Sequence, residues 1–161
     1  MNNDPYHSPN SEVESDSESQ RSGSLWKGIL IGGVADIGGT IAMSTILIII
    51  YMVQVWSPEM TPESIEQVIE QFTIDMASFN NAWSIISHAI GLGFSMLGGY
   101  VCAVFAKEKW KKAVLILAAI LGGFGLLMGI DVYQFGANLA LLLLSVIAIY
   151  TGAWLRAGKR Y

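Results

Sequence analysis

The chain has 161 residues, of which 53% are hydrophobic and only 14% are charged. Soluble globular domains carry about 25% charged residues, so this composition excludes an ordinary water-soluble fold and indicates a membrane protein with the lipid bilayer as its main partner. The formal net charge of −4 gives no indication of nucleic-acid binding. The single Cys102 leaves no intrachain disulfide and no cysteine-based metal motif, and no cofactor is predicted.

The first 24 residues predict a disordered cytoplasmic tail. They contain seven Ser, five acidic residues and two Pro, with few apolar side chains. Such a segment cannot offset the entropy that it would lose on ordering. At the other end of the chain, residues 158–161 form a short basic tail, which we also place in the cytoplasm.

Four apolar stretches lie between these tails, and each is long enough to cross a hydrocarbon core of roughly 30 Å. The first would reach roughly 45 Å as a helix, so it must tilt or project. The last two are joined so closely that they must form an antiparallel hairpin. We therefore predict an all-α, polytopic membrane protein with a four-helix domain over residues 25–157 and transmembrane helices at about 25–55, 83–106, 113–133 and 135–155.

The loop between the first two spans predicts a short amphipathic helix at about residues 62–78. Thr61 can cap this helix, Pro62 suits its first position, and Glu63 complements the positive end of the dipole. Its apolar side chains recur every three or four residues, at Ile65, Val68, Ile69, Phe72, Met76 and Phe79. This apolar face packs on the chain's own bundle or docks with a partner, and we favour the first alternative.

The basic residues predict the orientation. All nine Lys and Arg fall on one side, and the other side has none: Arg21 and Lys27 by the start of the first span, four Lys between the second and third spans, and Arg156, Lys159 and Arg160 after the fourth. The positive-inside rule therefore places both termini in the cytoplasm and the amphipathic helix outside the cell, with the chain in the inner membrane. The five Trp residues support the span limits, because each lies near a predicted boundary.

Small residues recur along three of the spans and predict where the helices meet. Because lipid gives helices little hydrophobic drive to associate, close backbone approach at small residues marks contact faces. The first of these stripes contains a literal GxxxG motif. The predicted helix-packing residues are Gly28, Gly32, Gly39, Gly91, Gly98, Gly99, Gly122, Gly125 and Gly129.

Asp36 is the main candidate for chemistry inside the membrane. It lies nine residues past Lys27, so about 13 Å along the helix from the inner boundary, between glycine pairs. Ionisable groups at such depth are costly and often functional. Asp36 is therefore either a proton or cation site, or a carboxyl group in a structural hydrogen bond; the second is the simpler interpretation.

His88 and Asp131 share a level near the outer boundary. A histidine beside a carboxylate could sense external pH or relay protons, whereas a structural hydrogen bond between the second and third spans explains the same residues. Asn138 either joins this pair or caps its own helix. Asp36 lies at a different depth, so no nucleophile, base and orienting group are predicted to converge.

The sequence contains no recognised catalytic motif, so an enzyme is the least supported class. The first functional hypothesis is a non-enzymatic protein that works by helix packing or assembly, with a second copy or a larger membrane protein as partner. The second is a subunit of an oligomeric transporter or channel, with Asp36 as the proton or cation site.

Three short features carry a resemblance. Trp26-Lys27-Gly28 opens the first span, an acidic loop follows, and Leu97 to Ala103 lead into Lys107 and Lys109. In this order of features the chain resembles a loose group of uncharacterised small bacterial four-helix integral membrane proteins, over roughly residues 25 to 133. The resemblance implies a four-helix fold and carries no activity or site residues. Asp36 lies outside the shared pattern.

The predicted orientation can be tested by cysteine labelling. Cysteine introduced at Glu66 or Glu70 should react with an impermeant thiol reagent in intact cells, because both positions lie in the predicted outer loop. Cysteine at Lys109 or Lys159 should stay unlabelled until the membrane is permeabilised. The reverse pattern would overturn the orientation.

Overall fold

The computed structural model describes residues 23–77, 79–130 and 133–158, and all regular structure in these ranges is helical. Its elements are α1 (Leu25–Val55), α2 (Pro62–Ala77), α3 (Ala82–Ala106), a 3₁₀ turn (Lys107–Lys109), α4 (Trp110–Gly129) and α5 (Phe135–Gly158). Three helical stretches are long and apolar enough to cross a membrane, namely Leu25–Val55, Ala82–Gly129 and Phe135–Gly158. The all-α prediction is confirmed, and the three stretches suggest a membrane protein.

The helix limits agree closely with the apolar pattern. The bounds of α1 coincide with the predicted span, and α3 begins one residue before the predicted start. The largest difference is at α4, which begins at Trp110 because the polar residues before Ala113 already form helical turns. Most of the predicted N-terminal tail (residues 1–22) and most of the basic C-terminal tail (residues 159–161) lie outside the described residues.

The stretch Ala82–Gly129 reverses direction at the 3₁₀ turn. Gly98 and Leu117 lie on opposite sides of this turn, yet a Cβ on Gly32 of α1 would lie 2.7 Å from the Gly98 carbonyl oxygen and 3.2 Å from the Leu117 side chain. In one straight helix these two residues would be about 28 Å apart. The helices α3 and α4 therefore lie side by side. Lys107 makes the reversal with a positive φ of 49°.

The helices α1 and α3 meet backbone to backbone. A Cβ on Gly32 would lie 2.7 Å from the Gly98 carbonyl oxygen, and a Cβ on Gly98 would lie 2.8 Å from that of Gly32. Gly28 makes the same kind of approach, at 2.8 Å, to the carbonyl oxygen of Cys102. This contact is possible only for residues without a side chain, as in other membrane helix pairs with small residues at the interface.

The other face of α3 meets α5 in the same way. Gly99 lies against the carbonyl group of Ile149, and Gly152 lies against that of Met96. The chain's main buried cluster continues from this contact toward the 3₁₀ turn. Its fully or almost fully buried members are Cys102, Ala103, Ala106, Ala113, Val114, Leu117, Ile149 and Ala153. The bundle is therefore tightest at the end that carries Lys107.

The helix α2 lies across the opposite end of the bundle. As predicted, Thr61 caps it, because the Ser64 backbone N–H donates to the Thr61 hydroxyl oxygen at 3.3 Å. Hydrogen bonds from its own backbone N–H and from the Thr61 hydroxyl hold the pKa of the Glu63 carboxyl below its usual value. Phe72 is buried, with its ring 4.9 Å from that of Tyr51 on α1. The apolar face of α2 therefore packs on its own bundle through Phe72, whereas Ile69 of the same face is exposed.

The backbone contact at Gly99 gives a direct stability test. Gly99→Ala should destabilise the folded bundle by about 1–3 kcal/mol or more, because the new Cβ would overlap the Ile149 carbonyl group and force α3 and α5 apart. Gly93→Ala on the same helix is the matched control, since no atom lies within 4 Å of its Cβ position. Thermal unfolding in mild detergent measures both. Equal melting of the two variants would contradict the contact.

Candidate functional site

A cavity of about 480 Å³ lies between the four long helices, further from the 3₁₀ turn than the main buried cluster. While α4 contributes apolar residues, the polar lining groups come from α1, α3, α5 and the segment before α5: Asp36, Thr40, Ser44, Ser87, His88, Ser95, Tyr133, Asn138 and Ser145. Three of the four predicted polar residues thus border one cavity. The fourth, Asp131, lies outside the described residues.

Asp36 is held at the end of this cavity nearer the 3₁₀ turn, which we call its inner end, and the end nearer α2 is called its outer end. Its side chain is only 7% exposed, and the hydroxyl of Ser95 on α3 donates to its Oδ1 at 3.2 Å. The contact of Asp36 Cβ with Gly98 fixes its position, because a Cβ on Gly98 would lie 2.9 Å away. The glycine contact that joins α1 to α3 therefore also places the carboxyl group beside Ser95.

The cavity lining contains no Lys or Arg among the described residues, and its only titratable side chains are those of Asp36, His88 and Tyr133. An ionised carboxylate at this depth is costly without a cation or strong donors. The Ser95 hydroxyl supplies one neutral donor. A proton on the carboxyl group, a cation or water in the cavity would supply further compensation.

His88 occupies the outer part of the cavity. Its Nδ1 lies 2.7 Å from the carbonyl oxygen of Ser84, so Nδ1 carries a proton and donates it. Its Nε2 lies 3.3 Å from the Tyr133 hydroxyl, which donates to Nε2 when the imidazole is neutral. His88 and Ser95 are seven residues apart on one face of α3, which separates the two polar ends of the cavity by about 10 Å.

Phe79 covers the outer side of His88. The two rings stack with centroids 4.3 Å apart, and the Tyr133 ring lies edge-on to the imidazole at 5.9 Å. Phe79 adopts a positive φ of 55°, which is a strained backbone conformation for a bulky residue. The stacking and a hydrogen bond from its backbone N–H to the Ser84 hydroxyl, at 3.2 Å, hold it there.

Ser84 organises this outer end. It is fully buried, and its hydroxyl donates to the carbonyl oxygen of Met76 at 2.8 Å while it accepts from Phe79. Its backbone N–H donates at 2.7 Å to the side chain of Asn81, the N-cap of α3. One serine thereby ties the end of α2 to the start of α3 and supports the residue that covers His88.

Asn138 has a structural role at the junction of α4 and α5. It is buried, and its side-chain amide donates to the carbonyl oxygen of Leu126 at 3.2 Å. Its side chain also fills the space in front of Gly129. Within the described residues, Asn138 makes no capping bond and no hydrogen bond to His88, and it joins α5 to α4. Asp131 lies outside these residues, so the predicted contact of Asn138 with the pair stays a prediction.

The predicted packing glycines divide into those that lie at a contact and those that lie beside open space. Gly28, Gly32, Gly98 and Gly99 lie at close backbone contacts, and Gly39, Gly122 and Gly129 lie against side chains of Phe94, Leu142 and Asn138. Gly91 and Gly125 differ from the prediction, because no atom lies within 4 Å of their Cβ positions and both border the cavity. Where a side chain would stand at these two positions, the cavity has open space.

Several lining residues were missed in the sequence, although one signal could have found them. Thr40 and Ser44 follow Asp36 at intervals of four, so they continue its helix face toward the outside. Tyr133 and Phe79 carried no comparable signal, because they reach His88 from separate segments. Hydroxyl groups are common in membrane helices, and what distinguishes Thr40 and Ser44 is that they line the same cavity as Asp36.

Comparison with known protein families, curated proteins and solved structures gives no match. The resemblance to small bacterial four-helix membrane proteins therefore stays a prediction. The class of protein rests on the three long apolar helices, and the candidate site rests on the polar cavity.

Loss of the Ser84 hydroxyl should loosen the outer end of the bundle. Ser84→Ala leaves the Met76 carbonyl and the Phe79 N–H without their partner, which should cost about 1–3 kcal/mol in stability. Faster amide exchange around Phe79 should accompany that loss. Ser87→Ala is the control, since this hydroxyl has no hydrogen bond within the described part of the chain. Hydrogen exchange and thermal unfolding test the difference, and unchanged exchange at Phe79 in Ser84→Ala would contradict it.

Proposed function

We propose that the chain crosses the inner membrane four times, with both termini in the cytoplasm and α2 outside. The reversal between α3 and α4 supports four crossings rather than three. Gly23, just before α1, lies against the carbonyl groups of Phe105 and Ala106, and Arg156 of α5 borders the same cavity as Lys107. The described basic side chains therefore gather at one end of the bundle, as the positive-inside rule requires for a cytoplasmic end.

We further propose that the cavity takes up a proton or a small cation, and that the protein is a non-enzymatic subunit of a transporter or channel. The observation that carries this proposal is a buried carboxyl group in a cavity whose described lining has no Lys or Arg. A proton or a cation would neutralise that group. The hydroxyl oxygens of Thr40, Ser44, Ser87 and Ser145 are further acceptors for such a ligand along the same cavity.

A route for this ligand is supported by the two ends of the cavity. The Asp36 carboxyl lies at the inner end, and His88, whose imidazole has two nitrogens that can donate or accept hydrogen bonds, lies at the outer end beneath Phe79. Gly91 lies between His88 and Ser95 on α3 and leaves the space between the two polar ends unfilled. A file of water or a partly hydrated cation would fit a cavity of about 480 Å³.

The second candidate is assembly with another copy or a larger membrane protein. The glycine stripes would favour assembly, but the GxxxG motif of α1 already packs against α3 of the same chain. The feature that favours assembly is the exposed face of α1. Gly38 and Ala42 lie one turn apart on this face, and no atom lies within 4 Å of the Gly38 Cβ position. The two candidates are compatible, because four short spans rarely enclose a pathway alone.

The ion or proton proposal is tested by Asp36→Asn in proteoliposomes. Asparagine keeps the shape and a hydrogen-bonding group but cannot bind a proton or balance a cation. We expect the variant to fold, reach the membrane and lose flux at least tenfold under a pH or cation gradient. Glu70→Gln is the control, because it removes a carboxylate from the exposed side of α2. Equal flux from Asp36→Asn and the parent protein would remove Asp36 from the pathway.

A second variant tests whether the cavity is the route for the ion or proton, or whether the Asp36 carboxyl group has only a structural role. Gly91→Leu should fill the cavity from α3 without touching Asp36, so the thermal stability should be retained while flux falls as in Asp36→Asn. Flux that survives in Gly91→Leu would show that the cavity is not the route. A parent protein without flux above that of empty liposomes would overturn the proposal.

A further inference from the structure

A second cavity, of about 430 Å³, lies at the opposite, basic end of the bundle, where α3, the 3₁₀ turn, α4 and α5 meet. Its volume is in the range of small-molecule sites. Its lining residues are Ala103, Lys107, Glu108, Trp110, Lys111, Arg156 and Ala157. None of these belongs to the polar cavity around Asp36.

Basic side chains from three separate elements converge on this cavity. Lys107 comes from the 3₁₀ turn, Lys111 from the first turn of α4 and Arg156 from the last turns of α5, against the single carboxylate of Glu108. Like charges that are brought together repel one another, so an anion in the cavity would reduce that repulsion. The lining thus has a formal surplus of two positive charges.

The start of α4 adds a second feature that favours an anion. This helix has 20 residues, and the residue before it, Lys109, supplies no side-chain cap. The Trp110 N–H already donates to the Lys107 carbonyl oxygen of the 3₁₀ turn, so this end of α4 favours an anion through the positive end of its helix dipole. Lys111 lies in this first turn, so its ammonium group adds to the same positive potential.

The aromatic residues place the cavity at the level of lipid headgroups. Trp110 lines it, with its ring 5.8 Å from that of Tyr150 and with the Lys111 ammonium group 5.8 Å from its own ring centroid. Trp and Tyr prefer the boundary between the hydrocarbon and the headgroups. Basic pockets between membrane helices at that level bind the phosphates of anionic lipids.

We propose that this cavity binds a phosphate group, presented by the headgroup of an anionic lipid such as phosphatidylglycerol. Arg156 contacts phosphate oxygens through its planar fork, Lys111 contributes a point charge, and the positive end of the α4 dipole favours the negative charge. A free phosphate ion carries the same chemistry and is the alternative source. This proposal does not depend on ion or proton movement through the other cavity.

The test is native mass spectrometry of the full chain in mild detergent, titrated with phosphatidylglycerol or with phosphatidylcholine. We expect selective binding of phosphatidylglycerol, weakened about fivefold in either Lys111→Gln or Arg156→Gln. Lys112→Gln is the matched control, because it removes the same charge one residue further along α4 but does not line the cavity. A parallel titration with inorganic phosphate distinguishes a lipid-bound phosphate from a free one.

The three variants distinguish a specific phosphate site from diffuse attraction to a basic surface. Loss of selective binding in Lys111→Gln and Arg156→Gln, but not in Lys112→Gln, supports the site, and the phosphate titration then names its source. Equal weakening in all three variants would show diffuse attraction to a basic surface and would overturn the proposal. Equal binding of the two lipids, without binding of inorganic phosphate, would also overturn it. Thermal unfolding of each variant shows whether weaker binding reflects a lost fold.

Discussion

The contact between the backbones of α1 and α3 is the constraint on which the rest of the structure depends. Gly32 and Gly98 each lie against the carbonyl oxygen of the other, so neither helix can shift without losing that approach. In lipid, such packing replaces the hydrophobic drive that would hold helices together in water. The same helix α3 meets α5 through Gly99 and Gly152, which makes α3 the centre of the bundle.

This close approach also determines where the cavity lies. At the basic end, glycine and alanine let the helices touch, and Cys102 and Ala106 are fully buried. Toward the other end, larger side chains such as Phe94 hold α3 away from Gly39 of α1. Gly91 and Gly125 lie where the helices have already separated, so the absent side chains leave space instead of contact. Glycine therefore allows close helix contact at the basic end, and it leaves unfilled space between the helices toward the other end.

The position of Asp36 follows from the same geometry. It lies one turn beyond Gly32, where the helices begin to separate, and reaches Ser95 across a short gap. At the outer end, Ser84 and Phe79 enclose His88 through hydrogen bonds and ring stacking that involve α2, α3 and the segment before α5. The strained backbone of Phe79 is held only by these contacts. The two ends of the cavity thus differ in chemistry.

The helices, their approximate limits and the small residues that allow close helix contact could all be predicted from the amino-acid sequence. Long apolar runs and capping residues are local features, so α1 from Leu25 and the Thr61 cap of α2 could be predicted. The sequence could not decide which glycines are contacts and which border a cavity, because Gly91 and Gly98 share one helix face. Nor could it bring Asp36 and His88 to one site, since their depths along separate helices suggested separate roles. Only the tertiary structure decided this, because a cavity is defined by how far apart neighbouring helices lie, and that distance depends on side chains from all of them at once.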